Sequence, residues 1–440
     1  MKLVIFSLAA AVALSTVAVE SSAQTVMTLR QCIEHAYSQS NTIHRSQLSV
    51  EQSENDLSTA RGQRLPSVSA YVGQNFDFGR GLTISNTYEN KNTRNTSFSI
   101  SASMTLFSGF RITRNIEMQR LNLEAATADL EAAREDLGIN VASAYLQVLC
   151  DKEIAAAAHE QVELSRAQLD VKVAKRDNGK VSEAEVAQAR SLVAQDEMKA
   201  VQADNDYQLA LLSLSQLLEL PSPDSIVVAE PTESEMASQM SGPEQVYQEA
   251  LGQKASIRAA QIKTQSAEKQ VAVAKSEYWP TLSLSAGVST GYYGVAGQDG
   301  DSFGDQMSQN LDKSISLGLS IPIFNKFSTR NSVRSAKMNC TSTQIDLDNE
   351  RKTLYKEIQQ AYYNAVAAES SYASSVAAAE SADEAYRLAE AKYAQGLATA
   401  TDFAEARTNR SSAISSRIQY KYEMIFRFKI LDFYRGTEIE

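Results

Sequence analysis

The placement of proline constrains this chain more than any other feature. Its seven prolines stand at 66, 221, 223, 231, 243, 280 and 322. From Phe110 to Leu220 there is none, and Gly occurs there only at Gly138 and Gly179; from Ile323 to Arg435 there is none, and Gly396 is the sole Gly. Helix interiors exclude proline, because it lacks the N–H and clashes with the preceding turn. Two very long helical regions are therefore predicted, each with one strong interruption. The stretch Phe110–Asn178 holds 69 residues, or about 100 Å of helix at 1.5 Å per residue. Helices of ordinary globular domains average about 11–12 residues. Asp177-Asn178-Gly179 is a turn signal, so the chain should double back there as an elongated hairpin. Gly138 lies inside periodic sequence and reads as a packing glycine. Leu123, Leu130, Leu137 and Ala144 recur every seven residues, as do Leu347, Leu354, Ala361 and Ala368. This is the spacing of an antiparallel coiled coil, and the abundant alanine lets helices approach closely.

A second periodicity separates the helical regions. Val68, Ala70 and Val72 alternate with Ser67, Ser69 and Tyr71, and Phe98 to Leu106 alternate apolar residues with Ser or Thr. Leu282, Leu284, Ala286 and Val288, and then Ile315, Leu317, Leu319 and Ile321, repeat the pattern. A period of two with one apolar and one serine-rich face predicts strands wetted on one side. They pair as hairpins across the polar loops Gly79–Thr96 and Gly294–Lys313.

The chain also repeats itself once. Ile43–Pro66 corresponds to Ile257–Pro280 at an offset of 214; beyond the strands the offset is 217, carrying Phe107 to Phe324, Gly179 to Gly396 and Ala189-Arg190 to Ala406-Arg407. The expected division is a signal peptide over 1–23, a first repeat over 24–220, a linker over 221–243, a second repeat over 244–436 and a tail over 437–440. The first repeat comprises a helix, a β-hairpin over 66–107 and a long helical hairpin with its tip at 179. The second comprises a helix, a β-hairpin over 280–322 and a hairpin with its tip at 396.

The leader is read from Lys2, the apolar stretch Leu3–Val19 and the small residues Ser21-Ser22-Ala23, with cleavage after Ala23; the plain alternative is a buried N-terminal helix. No later apolar run approaches the roughly 20 residues of a spanning helix. With 42 Lys+Arg against 53 Asp+Glu the net charge is −11, which leaves no basic footprint for nucleic acid. Cys32, Cys150 and Cys340 are odd in number and far apart, so they are not a disulfide framework, and His35, His44 and His159 fall on helix-like segments. No phosphate loop, metal motif or nucleophile elbow occurs, and no catalytic residue, metal or cofactor is expected. Four strands cannot close in lipid, where every backbone group needs an internal partner. Bacterial barrels begin at about eight strands. Two chains would supply eight strands and a filled interior. Three would supply twelve and a lumen that small serines could line.

These features together resemble the TolC family, the outer-membrane factors of bacterial export systems. Thr28-Leu29-Arg30-Gln31-Cys32-Ile33 is similar to the family's opening Thr-Leu-x-x-Ala-Ile, and Leu106-Phe107-Ser108-Gly109 stands at the return to helix. The most specific feature is Gly-x5-acidic-x4-Ala-Arg, present as Gly179, Glu185, Ala189-Arg190 and again as Gly396, Asp402, Ala406-Arg407. The resemblance implies a mainly α fold with β. Long antiparallel helical hairpins would form a trimeric α-barrel in the periplasm, continuous with a 12-stranded outer-membrane β-barrel to which each chain gives four strands. It implies a homotrimer set in outer-membrane lipid, partnered by a periplasmic membrane-fusion adaptor and an inner-membrane pump of RND, ABC or MFS type. The duct would serve a tripartite efflux or type I secretion system, and would not be an enzyme. Asp402 and Glu405 match acidic positions of the family's periplasmic constriction. Glu185 and Tyr393 match a closed-tip hydrogen bond, and Gly179, Lys180, Gly396 and Leu397 match the turns that meet the adaptor. Ala398 stands where the family carries a basic residue, so a second, Arg-based link is not expected. The alternative is a periplasmic coiled-coil adaptor or interaction protein that never spans the outer membrane.

Overall fold

The computed structural model describes residues 25–82, 86–90, 92–223, 226–230 and 241–436. The expected signal peptide, the tail 437–440 and linker residues 224–225 and 231–240 lie outside them. In chain order the elements are β1 (Thr25–Met27), α1 (Leu29–Gln39), α2 (Asn41–Gly62), β2 (Ser67–Asp77), β3 (Arg80–Leu82), β4 (Tyr88–Asn90), β5 (Thr93–Ser108), α3 (Arg111–Asp177) and α4 (Glu183–Leu217). There follow β6 (Ile226–Val228), α5 (Pro243–Gln253), α6 (Ala255–Ser276), β7 (Thr281–Val295), α7 (Phe303–Gln309), β8 (Asp312–Ser320), α8 (Ser328–Ala394) and α9 (Ala400–Tyr434).

The proline-free stretches become α3 and α8, each 67 residues long, or about 100 Å. Each starts after two consecutive left-handed residues: Gly109 and Phe110 at φ 62° and 63°, Lys326 and Phe327 at 54° and 63°. Gly109 must be glycine, since a Cβ there would lie 2.5 Å from Trp279 Cβ. Gly138 packs under the Tyr37 hydroxyl, 2.9 Å from where its Cβ would be. The return helices α4 and α9 are each 35 residues, so they cover only about half of their partners. Near the sheet, α2 and α6 occupy the place that α4 and α9 take farther away. The chain is thus a panel four helices wide along its whole length: α2, α3, α6, α8 near the sheet and α4, α3, α9, α8 away from it.

The sheet has the antiparallel order β2-β5-β7-β8. Its register aligns the two faces across all four strands. Ser67, Ser103, Ser285 and Ser316 form one row; Val68, Ala102, Ala286 and Ile315 form the adjacent row on the opposite face. Ser67 and Ser103 hydroxyls lie 2.9 Å apart, and those of Ser69 and Ser101 lie 3.0 Å apart. The predicted alternation in β5 breaks at Leu106, which bulges so that Phe107 returns to the apolar face opposite Leu282. The two loops carry structure of their own, the β3–β4 ribbon and the helix α7.

Where the helices change places sits the main core. Cys32, Val141, Tyr145, Leu149, Leu214, Ile226, Val228 and Ile418 meet there. A parallel pair, β1 with β6, ties residues 25–27 to the linker, and Tyr145 donates to the Ala229 carbonyl at 2.6 Å. Both strands are too short to read from periodicity. The helix expected before each β-hairpin is split in two, at Ser40, whose side chain caps α2, and at Lys254.

Candidate functional site at the hairpin tips

Both hairpins turn by the same local chemistry. At the first tip Gly179 has φ 70°, Gly179 N–H donates to Arg176 O at 2.7 Å and Lys180 N–H to Lys175 O at 2.9 Å. At the second, Gly396 has φ 76°, with Gly396 N–H to Tyr393 O at 3.1 Å and Leu397 N–H to Lys392 O at 2.8 Å. These are Schellman closures, and the left-handed residue favours glycine. A capping box then starts each return helix. Ser182 Oγ accepts from Glu185 N–H while Glu185 reaches back to the Ser182 N–H, and Thr399 and Asp402 do the same. Ser-x-x-Glu is the local signature of such a box, and Thr-x-x-Asp closes the same box with a side chain one carbon shorter. Two of the expected constriction acids, Glu185 and Asp402, are therefore also the residues that cap their helices.

The expected direct hydrogen bond between Glu185 and Tyr393 is replaced by a bridge. Lys172 Nζ donates to Glu185 Oε2 at 2.8 Å and to the Tyr393 hydroxyl at 2.7 Å, and stands 4.4 Å from the Tyr393 ring centroid. An ammonium has three donors and no acceptor, so it satisfies both oxygens at once. The Tyr393 ring stacks on Phe403 at 5.0 Å and 5°. These side chains, with Val171 and Leu192, line a cavity of about 350 Å³ between the hairpins. Lys172 holds the Glu185 carboxyl below the usual carboxylate range. Asp402 is held low by the Thr399 side chain and then by its backbone N–H. Asp402 and Glu405 stay exposed on α9, flanking buried Phe403, and take no part in the bridge. Lys180 and Leu397 project into solvent at the two turns.

Above the tip, more contacts join the two hairpins. Gln168 Nε2 donates to the Tyr386 hydroxyl at 3.0 Å, and Lys421 Nζ to Glu153 Oε2 at 2.8 Å. Between them the Arg407 guanidinium pairs with Asp196, the two side chains only 6% and 5% exposed. Arg407 belongs to the Ala-Arg tip motif, but nothing local marks Asp196 as its partner. Lys172 is just as silent: its repeat counterpart is Ala389, and its Tyr393 contact spans 221 residues.

None of this is acid–base or nucleophilic machinery. Among the described residues no group of His, Cys, Asp and Glu could hold a metal ion. Cys32 and Cys150 are buried free thiols, both pushed up to about 12 by burial.

The outer membrane efflux protein family model matches residues 32–219 and, a second time, 246–432. The chain belongs to the outer membrane efflux protein family, and the TolC-family resemblance read from its sequence is borne out. The outer membrane efflux protein BepC of Brucella suis is 25% identical over 374 residues, covering 83% of this chain and 75% of that one. The outer membrane protein TolC of Escherichia coli is 24% identical over 378 residues, 84% of this chain and 74% of that one. Among solved structures, the outer membrane protein VceC of Vibrio cholerae superposes with a TM-score of 0.78 at 18% identity, over 94% of this chain and 97% of that chain. The CmeC outer membrane channel of Campylobacter jejuni gives 0.79 at 21% identity, over 94% and 86%. These likenesses show the fold. The family is one of outer-membrane efflux channels rather than enzymes.

Proposed function

We propose that three copies of this outer-membrane efflux channel protein close into one duct: a 12-stranded β-barrel in the outer membrane, continued by 12 helices in the periplasm. One observation carries the reading. The four-stranded sheet ends in β2 and β8, which lack a partner on their outer sides among the described residues, while Val68, Val72, Leu317 and Leu319 of its apolar face are exposed. An open edge and an exposed apolar face are both costly in water, and lipid tolerates only a closed sheet. The dimensions suit a bilayer. From Leu282 to Tyr292 on β7 is about 33 Å along the strand, or about 25 Å of height at a typical tilt. Exposed aromatic residues stand beyond both ends of that band, Trp279 and Phe324 on the helix side and Phe76 on the other. A periplasmic adaptor would have no use for such a sheet.

In this reading substrates pass through the lumen from a periplasmic adaptor and an inner-membrane pump, in efflux or type I secretion. Asp402 and Glu405 form stacked rings of three carboxylates at the periplasmic end, which favour cation entry. The Glu185–Lys172–Tyr393 bridge holds the tip shut. Lys180 and Leu397, beside Gly179 and Gly396, meet the adaptor. Light scattering of the detergent-solubilised protein, corrected for the micelle, should give three chains. A monomer in the soluble periplasmic fraction would overturn the reading.

A further inference from the structure

Charge is sorted between the two faces of the sheet. The apolar face of β2, β5, β7 and β8 carries two charged residues, Arg94 and Lys313, and both are cations. The serine face also carries two, Asp77 and Asp312, and both are anions. All four stand towards the end of the sheet away from the long helices, where β2 ends and where β5 and β8 begin. Asp312 and Lys313 are neighbours in the chain, so the pleat alone sends one to each face. The duct reading turns that end to the exterior, its apolar face to lipid and its serine face to the lumen. A cation on a lipid face is costly at the midplane and cheap at the headgroups.

Arg94 lies at headgroup level and is held in one posture. It stands opposite Gly294, one step on the same face beyond Tyr292, where the apolar band ends. Its guanidinium lies over the Tyr292 ring, 4.9 Å from the centroid, and donates to the Tyr292 hydroxyl at 2.7 Å. Gly294 makes the room: a Cβ there would lie 2.8 Å from the Tyr292 hydroxyl oxygen and 3.0 Å from Arg94 Nε. The hydrogen bond to Tyr292 uses one of five guanidinium N–H groups. Among the described residues no carboxylate pairs with Arg94.

The loop beyond β7 builds a wall around this arginine. Pairing of β7 with β8 stops at Ser289, and α7 is fastened to the strand beyond it. Gln306 accepts from the Tyr293 N–H at 2.9 Å and donates to the Tyr293 carbonyl at 3.0 Å, and Asn310 donates to the Gly291 carbonyl at 2.7 Å. Phe303 of α7 packs on Tyr292, with ring centroids 5.4 Å apart. Arg94 therefore borders a cavity of about 890 Å³, whose walls include Phe76, Tyr292, Gln298 and Gln309. Asp299 and Asp301 also line it and add acceptors for hydroxyl groups. Rings, amides and carboxylates suit a sugar, while a guanidinium with a free fork suits a phosphate.

Lys313 is the second cation. It stands opposite Val288, deeper on the same face, and its four-carbon stem carries the ammonium towards the same boundary. We propose that Arg94 and Lys313 bind phosphate groups of the glycolipid that forms the outer leaflet around the barrel, with Arg94 as the fork and the sugar in the cavity beside it. This rests on the trimeric duct reading, which sets the helix-free end of the sheet outward. Asp77 and Asp312 are kept from the same phosphates by the thickness of the sheet.

Native mass spectrometry of the intact detergent-solubilised protein, titrated with diphosphorylated lipid A, reads this binding directly. The wild-type protein should hold that lipid and hold its dephosphorylated form more weakly. Arg94→Gln with Lys313→Gln should weaken binding by roughly fivefold for each cation removed, whereas Asp77→Asn with Asp312→Asn, on the other face, should not weaken it. Arg94→Lys keeps the charge but loses the planar fork, so it should bind less tightly than wild type. Undiminished binding by the double Gln variant, or by Arg94→Lys, in a protein that light scattering shows to be trimeric, would overturn the site and leave the duct reading standing. Equal uptake of phosphatidylglycerol, or displacement of the lipid by inorganic phosphate, would overturn the glycolipid as the occupant. A monomer by light scattering would overturn both the site and the duct.

Discussion

Lys172 Nζ donates to the Tyr393 hydroxyl across 2.7 Å, tying α3 of the first repeat to α8 of the second at the closed end of both hairpins. The same ammonium pairs with Glu185. A single cation thus joins three helices, α3, α4 and α8, at the hairpin-tip end of the panel. Losing it should free both hairpins to splay.

Lys172→Met should therefore raise the open probability of the channel in planar bilayers. Part of the site is solvated, so the bridge is worth about 1 kcal/mol, or roughly a fivefold shift. Tyr393→Phe keeps the stack on Phe403 and loses only the hydroxyl, so it should act in the same direction but more weakly than Tyr393→Ala. The Lys172→Met and Tyr393→Phe effects should not add, because they remove one interaction. Additive effects, or an unchanged Lys172→Met channel, would show that the bridge does not govern opening.

Acid should open the tip by the same route. Glu185 has its carboxyl lowered, mainly by its hydrogen bond from Lys172. A group lowered in the folded state contributes stability above its unfolded value, about 4.3 for Glu, and loses it as the pH falls through the folded value. Open probability should thus be flat from pH 7 to about 5 and climb below about 4. Glu185→Gln should remove that climb while its side-chain carbonyl still accepts the capping hydrogen bond from the Ser182 N–H. If Glu185→Gln channels keep the full acid response, another group is responsible.

Selectivity should depend on the exposed acids of α9. Asp402→Asn with Glu405→Gln removes both proposed carboxylate rings yet preserves the side-chain acceptor that caps α9. Cation selectivity, read from the reversal potential in a salt gradient, should fall towards zero. Block by multivalent cations added on the periplasmic side should disappear. If the double variant retains both, the constriction lies elsewhere.

The two faces of β8 should respond oppositely to charge. Leu317 lies in the apolar row with Leu284, and Ser316 in the serine row with Ser285. Arginine at the lipid midplane costs roughly 2–4 kcal/mol, so Leu317→Arg should deplete the heat-modifiable outer-membrane form. Ser316→Arg should assemble and conduct less. Equal tolerance of both would mean that the apolar face does not meet lipid.

Arg407 and Asp196 form a buried pair between α9 and α4. Removing one partner strands a charge in the interior, at a cost of about 3–5 kcal/mol, whereas replacing both with apolar residues of similar volume is often neutral. Arg407→Met and Asp196→Leu should each lower the melting temperature clearly, and the double variant should regain most of it. A double variant worse than either single one would contradict this account.

The sequence by itself determined whatever depends on neighbours along the chain. Missing prolines marked α3 and α8, serine alternation marked the four long strands, and Gly179 and Gly396 marked turns that need a left-handed residue. The repeat offsets, and with them the resemblance to the family, were equally legible, since each is a relation between residue types at fixed spacing. Only the tertiary structure decided what joins segments hundreds of residues apart. Lys172 reaches Tyr393 across 221 residues, Arg407 finds Asp196, and the β1–β6 pair closes on Tyr145. Three-residue strands and single long-range ion pairs carry no period, and a lysine on a helix looks the same in sequence whether it points to solvent or to a tyrosine. The helices are written in local propensity, but their side-by-side order is set by which faces pack, and that is a property of the folded panel.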